Sequence, residues 1–539
     1  MRTSGDGMRS TVARSRAADN APAPVRRIPP RPFSWHENGP AGFLVRDVAT
    51  GSVRALPSYA APTSGGRTTP VPHLRHRSPV HGLDRRNLGP AEVLAQSVAG
   101  AAPAAAMATV PAIVAATAGP GTLWSFAVAT VVALLIGSCI GQFTRRMAAA
   151  GSLYSLTAQG LGPAGAFGSG VALLVGYGVL AMAALTGSAI YLDALVARLG
   201  GTGGSRPVLV AAVCVLAVLA TAGVLVRVRL SARVVLLVEA VSITVMTVVF
   251  LALLGADAPA GPPPPDPGPG GIAAGVLPAL GAFIGFEAAT AMGVEARRPF
   301  RTVPRVVTWT AGAAGALFLF AAYTQVSGFS AGGLAATPEP VLTLVTARGE
   351  PWIAVLLDVG IAMSFAACTL ATLGALVRVL FSMARDGIVP ARLGATHPRL
   401  RTPHAAIAVA LPVVAAVPAA LLAAGVPPSR VLAELLTVAT AGYLVAYLLI
   451  CLAAPLFLRR IGELTTPPVA VTAVAAPVLL AVLAAFVVSE WGGAIPLVIG
   501  LLVLAGGVWW GWLRLRRPRE LAGIGAYDET VADDVLARP

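Results

Sequence analysis

Leu280-Gly281-Ala282-Phe283-Ile284-Gly285-Phe286-Glu287, with Glu295-Ala296-Arg297-Arg298-Pro299 and Pro304 behind it, sets the terms on which the rest of the chain is read. It lies in an apolar run over about residues 271–294, long enough to cross a bilayer. Two glycines and a carboxylate stand where a lipid-facing helix would carry Leu and Val. An unsatisfied peptide group in hydrocarbon costs several kcal/mol, so irregular backbone survives there only where protein encloses it. The stretch therefore predicts a broken membrane helix whose freed peptide groups hold a solute.

The surrounding chain is apolar to match. Of 539 residues, 56% are hydrophobic and 12% charged, with mean hydropathy +0.77, which is too apolar for a soluble globular protein. All 39 basic residues are arginine, so no lysine amine binds substrate or carries a coupling charge. The Arg and Ala bias is that of a GC-rich genome of bacterial type. A net charge of +15 would suggest nucleic acid in a soluble chain; here the arginines fall in loops on one side of a membrane and orient the protein, so no nucleic-acid partner is expected. Cys139, Cys214, Cys368 and Cys451 lie one apiece in separate apolar runs. They predict small core residues, neither a disulfide framework nor a metal site.

Residues 1–88 are rich in Pro, Arg, Ser and Gly, lack any run able to span, and predict a disordered tail. His73, His76 and His81 lie close together there without the partners a metal site needs. From residue 92 onward apolar runs recur, each of about 20 residues or more, at roughly 93–118, 122–144, 166–192, 207–226, 233–254, 271–294, 304–327, 352–380, 404–424, 431–458, 468–488 and 494–513. They predict an all-α protein of twelve transmembrane helices embedded in a lipid bilayer. Arg145, Arg146, Arg297, Arg298, Arg301, Arg305, Arg385 and others fall on the tail's side, with only Arg198, Arg206, Arg348 and Arg430 opposite. That asymmetry predicts a multi-pass cell-membrane protein with both termini in the cytoplasm.

The first run contains Ser97-Val98-Ala99-Gly100-Ala101-Ala102-Pro103, and Pro103 lacks the amide hydrogen a continuous helix would use. It lies five spans before the glycine-broken run. Gly and Pro also serve as ordinary packing residues in membrane helices, but interruptions at matching positions of two halves point to an inverted-repeat secondary transporter with its cargo between half-helix ends. The amino ends suit a carboxylate, and freed carbonyls suit an ammonium or a sodium ion.

Glu239 stands in mid-span among Leu236, Leu237, Val238, Ala240 and Val241. A charge at that depth costs at least ~2.5 kcal/mol, a cost the carboxyl escapes by taking up a proton, so Glu239 is a candidate coupling group; the alternative is a structural carboxyl bonded to a hydroxyl such as Ser242. Glu287, two residues past Gly285, is expected to brace the unwound backbone. Asp358, near a span end, is expected to face water. Ser364, Cys368 and Thr372 recur every four residues and form a polar stripe that would face the first span, with Ser364 a second coupling candidate, unless the hydroxyls bond their own helix. Tyr443 and Tyr447 would gate the outer path or simply pack.

Phe283-Ile284-Gly285-Phe286-Glu287 with Glu295-Ala296-Arg297-Arg298-Pro299 resembles the sixth-helix signature of the amino acid-polyamine-organocation permease superfamily. Arg378-Val379-Leu380-Phe381-Ser382-Met383-Ala384-Arg385-Asp386-Gly387-Ile388-Val389-Pro390 with Thr402-Pro403-His404 is similar to its eighth-helix end, and Ala150-Gly151-Ser152-Leu153-Tyr154 to the loop after its second helix. The resemblance implies a leucine-transporter-type fold, two inverted repeats of five helices plus two C-terminal helices: a core over residues 89–460, a helix pair over 461–513 and a tail over 514–539. It implies transport of an amino acid or related amine by alternating access, with Ala282, Phe283 and Ile284 beside the substrate and Gly285 at the break. In the first helix the family's glycine-rich pattern is replaced by Gly100-Ala101-Ala102-Pro103; Ala99, Gly100, Ala101 and Ala102 are carried over as substrate neighbours, with Pro103 structural. Some relatives carry a lysine near the place of Glu239. Proton-coupled symport is the expected mode and substrate-product exchange its rival. No cofactor is expected. A polytopic membrane enzyme would need clustered His, Asp or Glu, and His397 and His404 sit in a short basic loop without such partners.

Overall fold

The structure is a computed structural model. It describes residues 44–46, 53–55 and 78–529, apart from 202, 226–227, 255–267, 330–332, 335–336, 338, 348–350 and 491–492. Most of the tail, with His73 and His76, lies outside the described residues. Within the tail Leu44–Arg46 (β1) pairs antiparallel with Val53–Ala55 (β2), Leu44 opposite Ala55.

From residue 78 on, the described chain is built of helices. In order they are α1 (Pro90–Ala101), α2 (Pro103–Ala118), α3 (Thr122–Thr144), α4 (Leu153–Arg198), α5 (Arg206–Leu225), α6 (Val228–Leu253), α7 (Gly268–Gly281), α8 (Pro299–Gly328), α9 (Pro340–Ala347), α10 (Pro351–Arg385), α11 (His404–Ala423), α12 (Pro428–Arg460), α13 (Thr466–Ser489), α14 (Ala494–Arg516) and α15 (Pro518–Ala522). Proline opens α1, α2, α8 and α12 at the first helical turn, where its missing N–H has no intrahelical partner to lose. Among the described residues, eleven helical stretches are long and apolar enough to cross a membrane, as backbone self-satisfaction in hydrocarbon demands. α4 packs against both α10 and α12, with α2 against α7, α1 against the 3-10 turn Phe286–Met292, α3 against α8, and α5 against α11. On the outside, α14 exposes Leu497, Leu501, Val503 and Leu504.

The sixth run is broken as the sequence predicts, α-helical only to Gly281. Three details differ from the sequence reading. The third apolar run begins earlier: α4 starts at Leu153 and kinks at Gly162 and Pro163 (Gly162 φ 73°, ψ −164°), so its first turns fall before the apolar window. Asp358 does not face water; it is buried and accepts a hydrogen bond from Arg198 Nε at 2.6 Å, a partner 160 residues away in the chain that pattern reading cannot pair with it. Cys214 is exposed on its helix, whereas Cys139, Cys368 and Cys451 are buried.

Pro111 leaves the Met107 carbonyl without its helical donor, and Gln325 Nε2 of α8 fills the place at 2.8 Å. On the arginine-rich face, the chain after α14 lies across several loops. Asp386 accepts from Tyr154 Oη (2.7 Å), Gly525 N (3.0 Å) and Ala526 N (3.2 Å), while Asp528 pairs with Arg85 at 2.6 Å and accepts from Ser78 Oγ at 3.0 Å. Burial pushes the Asp386 carboxyl above the usual carboxylate range against the pull of those three donors. Nearby, the Arg378–Glu295 pair (2.6 Å) is buried on both sides, and residues 86–88 bond the backbone at 294–297.

Candidate functional site

The first break is a single residue wide. Ala102 adopts a left-handed conformation (φ 43°, ψ 60°) between α1 and α2, its N–H bonding Val98 O at 2.9 Å and Ala99 O at 3.2 Å. Pro103 then starts α2, and the Ala105 N–H, free by position in a first helical turn, donates to Ser364 Oγ of α10 at 3.3 Å. The second break is longer: α7 stops at Gly281, the chain turns through Ala282, Phe283 and Ile284, and Gly285 (φ 93°, ψ −11°) starts the 3-10 turn.

The two breaks touch. A Cβ on Gly285 would meet the Gly100 carbonyl oxygen and come within 2.6 Å of its carbonyl carbon, and a Cβ on Gly100 would lie 3.2 Å from the Gly285 carbonyl carbon and 3.1 Å from Ala288 Cβ. Both positions require glycine for that approach, and Gly285 also for its positive φ. Ser97 Oγ adds a hydrogen bond to the Phe286 carbonyl.

Beside this contact lies a cavity of about 50 Å³, room for a few water-sized bodies. Among the eight residues predicted beside a cargo, Gly100, Ala101, Ala102, Ala282 and Ile284 line it. Ala99, Phe283 and Gly285 do not: Ala99 borders a separate cavity toward Gln96 and Arg378, Phe283 stands edge-on to Phe318 at 5.0 Å, and Gly285 is covered by Gly100. The walls that sequence reading missed are Leu180 and Ala184 of α4, Phe365 of α10 and Leu432 and Leu436 of α12. Nothing local in the chain sets these apart from other apolar helix residues.

Glu287 is enclosed by donors. Tyr177 Oη donates to Oε1 at 2.8 Å, Tyr447 Oη donates to Oε2, and Gly285 N donates to the same Oε2 at 3.2 Å. Ser152 Oγ extends the network, 3.0 Å from Tyr177 Oη and 2.8 Å from Thr290 Oγ1. Tyr443 stacks edge-on against Tyr177 at 5.2 Å with its own hydroxyl unpartnered. Glu239 of α6 is equally buried, yet neither carboxyl oxygen has a hydrogen-bond partner; Ser364 and Cys368 of α10 are its polar neighbours. The polar stripe divides, Cys368 Sγ donating to Gly100 O at 3.4 Å while Thr372 Oγ1 bonds its own helix at Cys368 O. His397 accepts the backbone N–H groups of Arg399 and Leu400 through Nδ1. No cluster of three His, Cys, Asp or Glu able to hold a metal occurs among the described residues.

The chain is also similar to known proteins. The family model described as amino acid permease matches residues 92–512. A branched-chain amino acid permease of Bacillus subtilis is 27% identical over 306 residues, 54% of this chain and 66% of the relative. An uncharacterized transporter of Mycobacterium tuberculosis is 30% identical over 308 residues (56% of this chain, 67% of the relative), and the human cationic amino acid transporter 4 is 29% identical over 323 residues (53% and 48%). The alignment with the B. subtilis permease thus spans just under two thirds of that protein's length. A multi-pass membrane protein with its two interrupted helices in contact, the chain belongs to the amino acid permease family.

Proposed function

We propose that this permease moves amino acids with aliphatic side chains across the cell membrane by alternating access, in symport with protons. The observation that carries the reading is the meeting of two broken spans at Gly100 and Gly285 beside an apolar cavity. Peptide groups freed at the breaks suit the amino and carboxylate groups common to all amino acids. The walls from Leu180, Ile284, Phe365 and Leu436 suit an aliphatic side chain, and the described lining offers no carboxylate to a cationic one. The branched-chain permease among the relatives supports that choice over the cationic transporter.

The stretch Pro90–Thr144, 55 residues, would be about 80 Å long if straight, far beyond ~30 Å of hydrocarbon. With the turn at Gly119 (φ 52°) it makes two crossings, twelve spans in all. Spans 1–5 and 6–10 then form inverted repeats, and packing of spans five apart supports this: α2 on α7 with α1 on the 3-10 turn Phe286–Met292, α3 on α8, α4 on α10, α5 on α11. The arginine-rich face is cytoplasmic. Glu239 holds and releases the coupled proton: it is a fully buried carboxyl beside the first break with neither oxygen in a well-formed hydrogen bond, and Ser364 stands between it and the first turn of α2.

Uptake of labelled amino acids into proteoliposomes tests the reading. Leu, Ile and Val should accumulate under an inward proton gradient and not under a sodium gradient. Accumulation driven by sodium would overturn the coupling, flux seen only with preloaded vesicles would identify an exchanger, and preference for Lys or Arg would overturn the substrate class.

A further inference from the structure

We propose that the seam between α3 and α8 on the arginine-rich face binds an anionic glycerophospholipid. A cavity of about 840 Å³ opens there. Its rim carries Arg145, just past the end of α3, with Arg301 and Arg305 from the first turns of α8. Its wall is Leu134, Trp309 and Gly312. Residues 301, 305, 309 and 312 recur at helical spacing, so one stripe of α8 passes from charged to apolar along its length.

Positive-inside arginines orient a chain without having to converge. Here three from two helices converge on one hollow, and none has a carboxylate within ion-pair distance among the described residues. Arg146, Arg378 and Arg517 on the same face, by contrast, pair with Glu463, Glu295 and Glu520. The slot beneath is equally unpartnered, with Trp309 71% and Leu134 37% exposed. The slot has room at Gly312, where an added Cβ would make only ordinary contact with Leu134 Cδ2 at 3.9 Å. A charged rim at headgroup level over an apolar slot among the acyl chains matches the two halves of a phospholipid. A soluble phosphate would use the rim and leave the slot empty.

The test uses the full chain in nanodiscs containing phosphatidylglycerol or phosphatidylcholine with dibrominated acyl chains, which quench tryptophans they touch. The sequence has eight tryptophans, so the signal of Trp309 is taken as the difference between the parent and Trp309→Phe. Phosphatidylglycerol should quench Trp309 at a mole fraction at least about fivefold lower than phosphatidylcholine, the effect of one arginine near an anionic headgroup. Replacing Arg145, Arg301 and Arg305 together by Gln should abolish the preference; the triple Lys version should keep part of it, and Arg305→Gln alone should lower it if the triple Gln chain does not fold. Gly312→Leu should reduce quenching by both lipids. Equal quenching by the two lipids, a preference that survives the triple Gln change, or displacement by soluble glycerol 3-phosphate would each overturn the proposal.

Discussion

Glu287 and Glu239 have the same side chain and the same burial, 0% exposed, and the fold treats them in opposite ways. Around Glu287 two tyrosines from α4 and α12 and the Gly285 amide converge, so its oxygens anchor the second break to the helices at the centre of the molecule. Around Glu239, on a helix whose neighbouring residues Val234, Leu237 and Val241 are exposed, only the Ser364 hydroxyl and the Cys368 thiol stand near, and neither carboxyl oxygen has a well-formed hydrogen bond. A buried polar group left unpaired costs about 1–3 kcal/mol, and more when charged. Glu287 thus has the environment of a structural group. Glu239 has the environment that the proposed proton coupling asks of its carrier.

The largest effect expected from this contrast is at Glu287. Glu287→Ala strands three donors at once; hydrogen bonds to a charged acceptor are worth about 1.5–3 kcal/mol each and are not additive within one network, so the loss should be about 3–5 kcal/mol. Unfolding in detergent mixtures titrated with dodecyl sulfate would measure it. A variant as stable as the parent to within about 1 kcal/mol would erase the distinction between the two glutamates. Tyr447→Phe sharpens the comparison by removing one donor and leaving the acceptor, and should cost about 1.5–3 kcal/mol in the same titration. If it costs nothing while Tyr177→Phe does, Oε1 and not Oε2 holds the break.

The sequence reaches one side of this contrast better than the other. Glu239 stands out because a carboxylate among leucines and valines is anomalous within a single helix. The partners of Glu287 are invisible by the same method, since Tyr177 and Tyr447 lie 110 and 160 residues away and look like ordinary aromatic packing. Family membership was legible from Phe283-Ile284-Gly285-Phe286-Glu287 and the Met383–Pro390 run, and the family model agrees. Gly285 signalled the second break, whereas the fit of Gly100 against it depends on two backbones brought together from positions 185 residues apart, which no local pattern encodes. The docking of residues 524–528 was hidden for a related reason: its bonds run from backbone N–H groups to Asp386, and backbone groups leave no mark in side-chain periodicity.

The smallest expected change in stability is at Glu239, and it separates the two glutamates most cleanly. Glu239→Gln keeps the shape and removes the exchangeable proton; a buried neutral amide replaces a carboxyl that escapes the cost of charge by holding that proton, and neither oxygen has a well-formed hydrogen bond to lose, so stability should move by less than about 1 kcal/mol. Transport should change in kind. A group that cannot release a proton leaves substrate counterflow between preloaded and external pools intact, while accumulation under an imposed proton gradient disappears. A structural carboxyl predicts the reverse pattern: a loss of stability, and any surviving uptake still following the gradient. Running the dodecyl sulfate titration and the two flux assays on one preparation of the variant therefore decides whether the missing hydrogen bonds around Glu239 reflect a working proton site or merely loose packing at the lipid boundary.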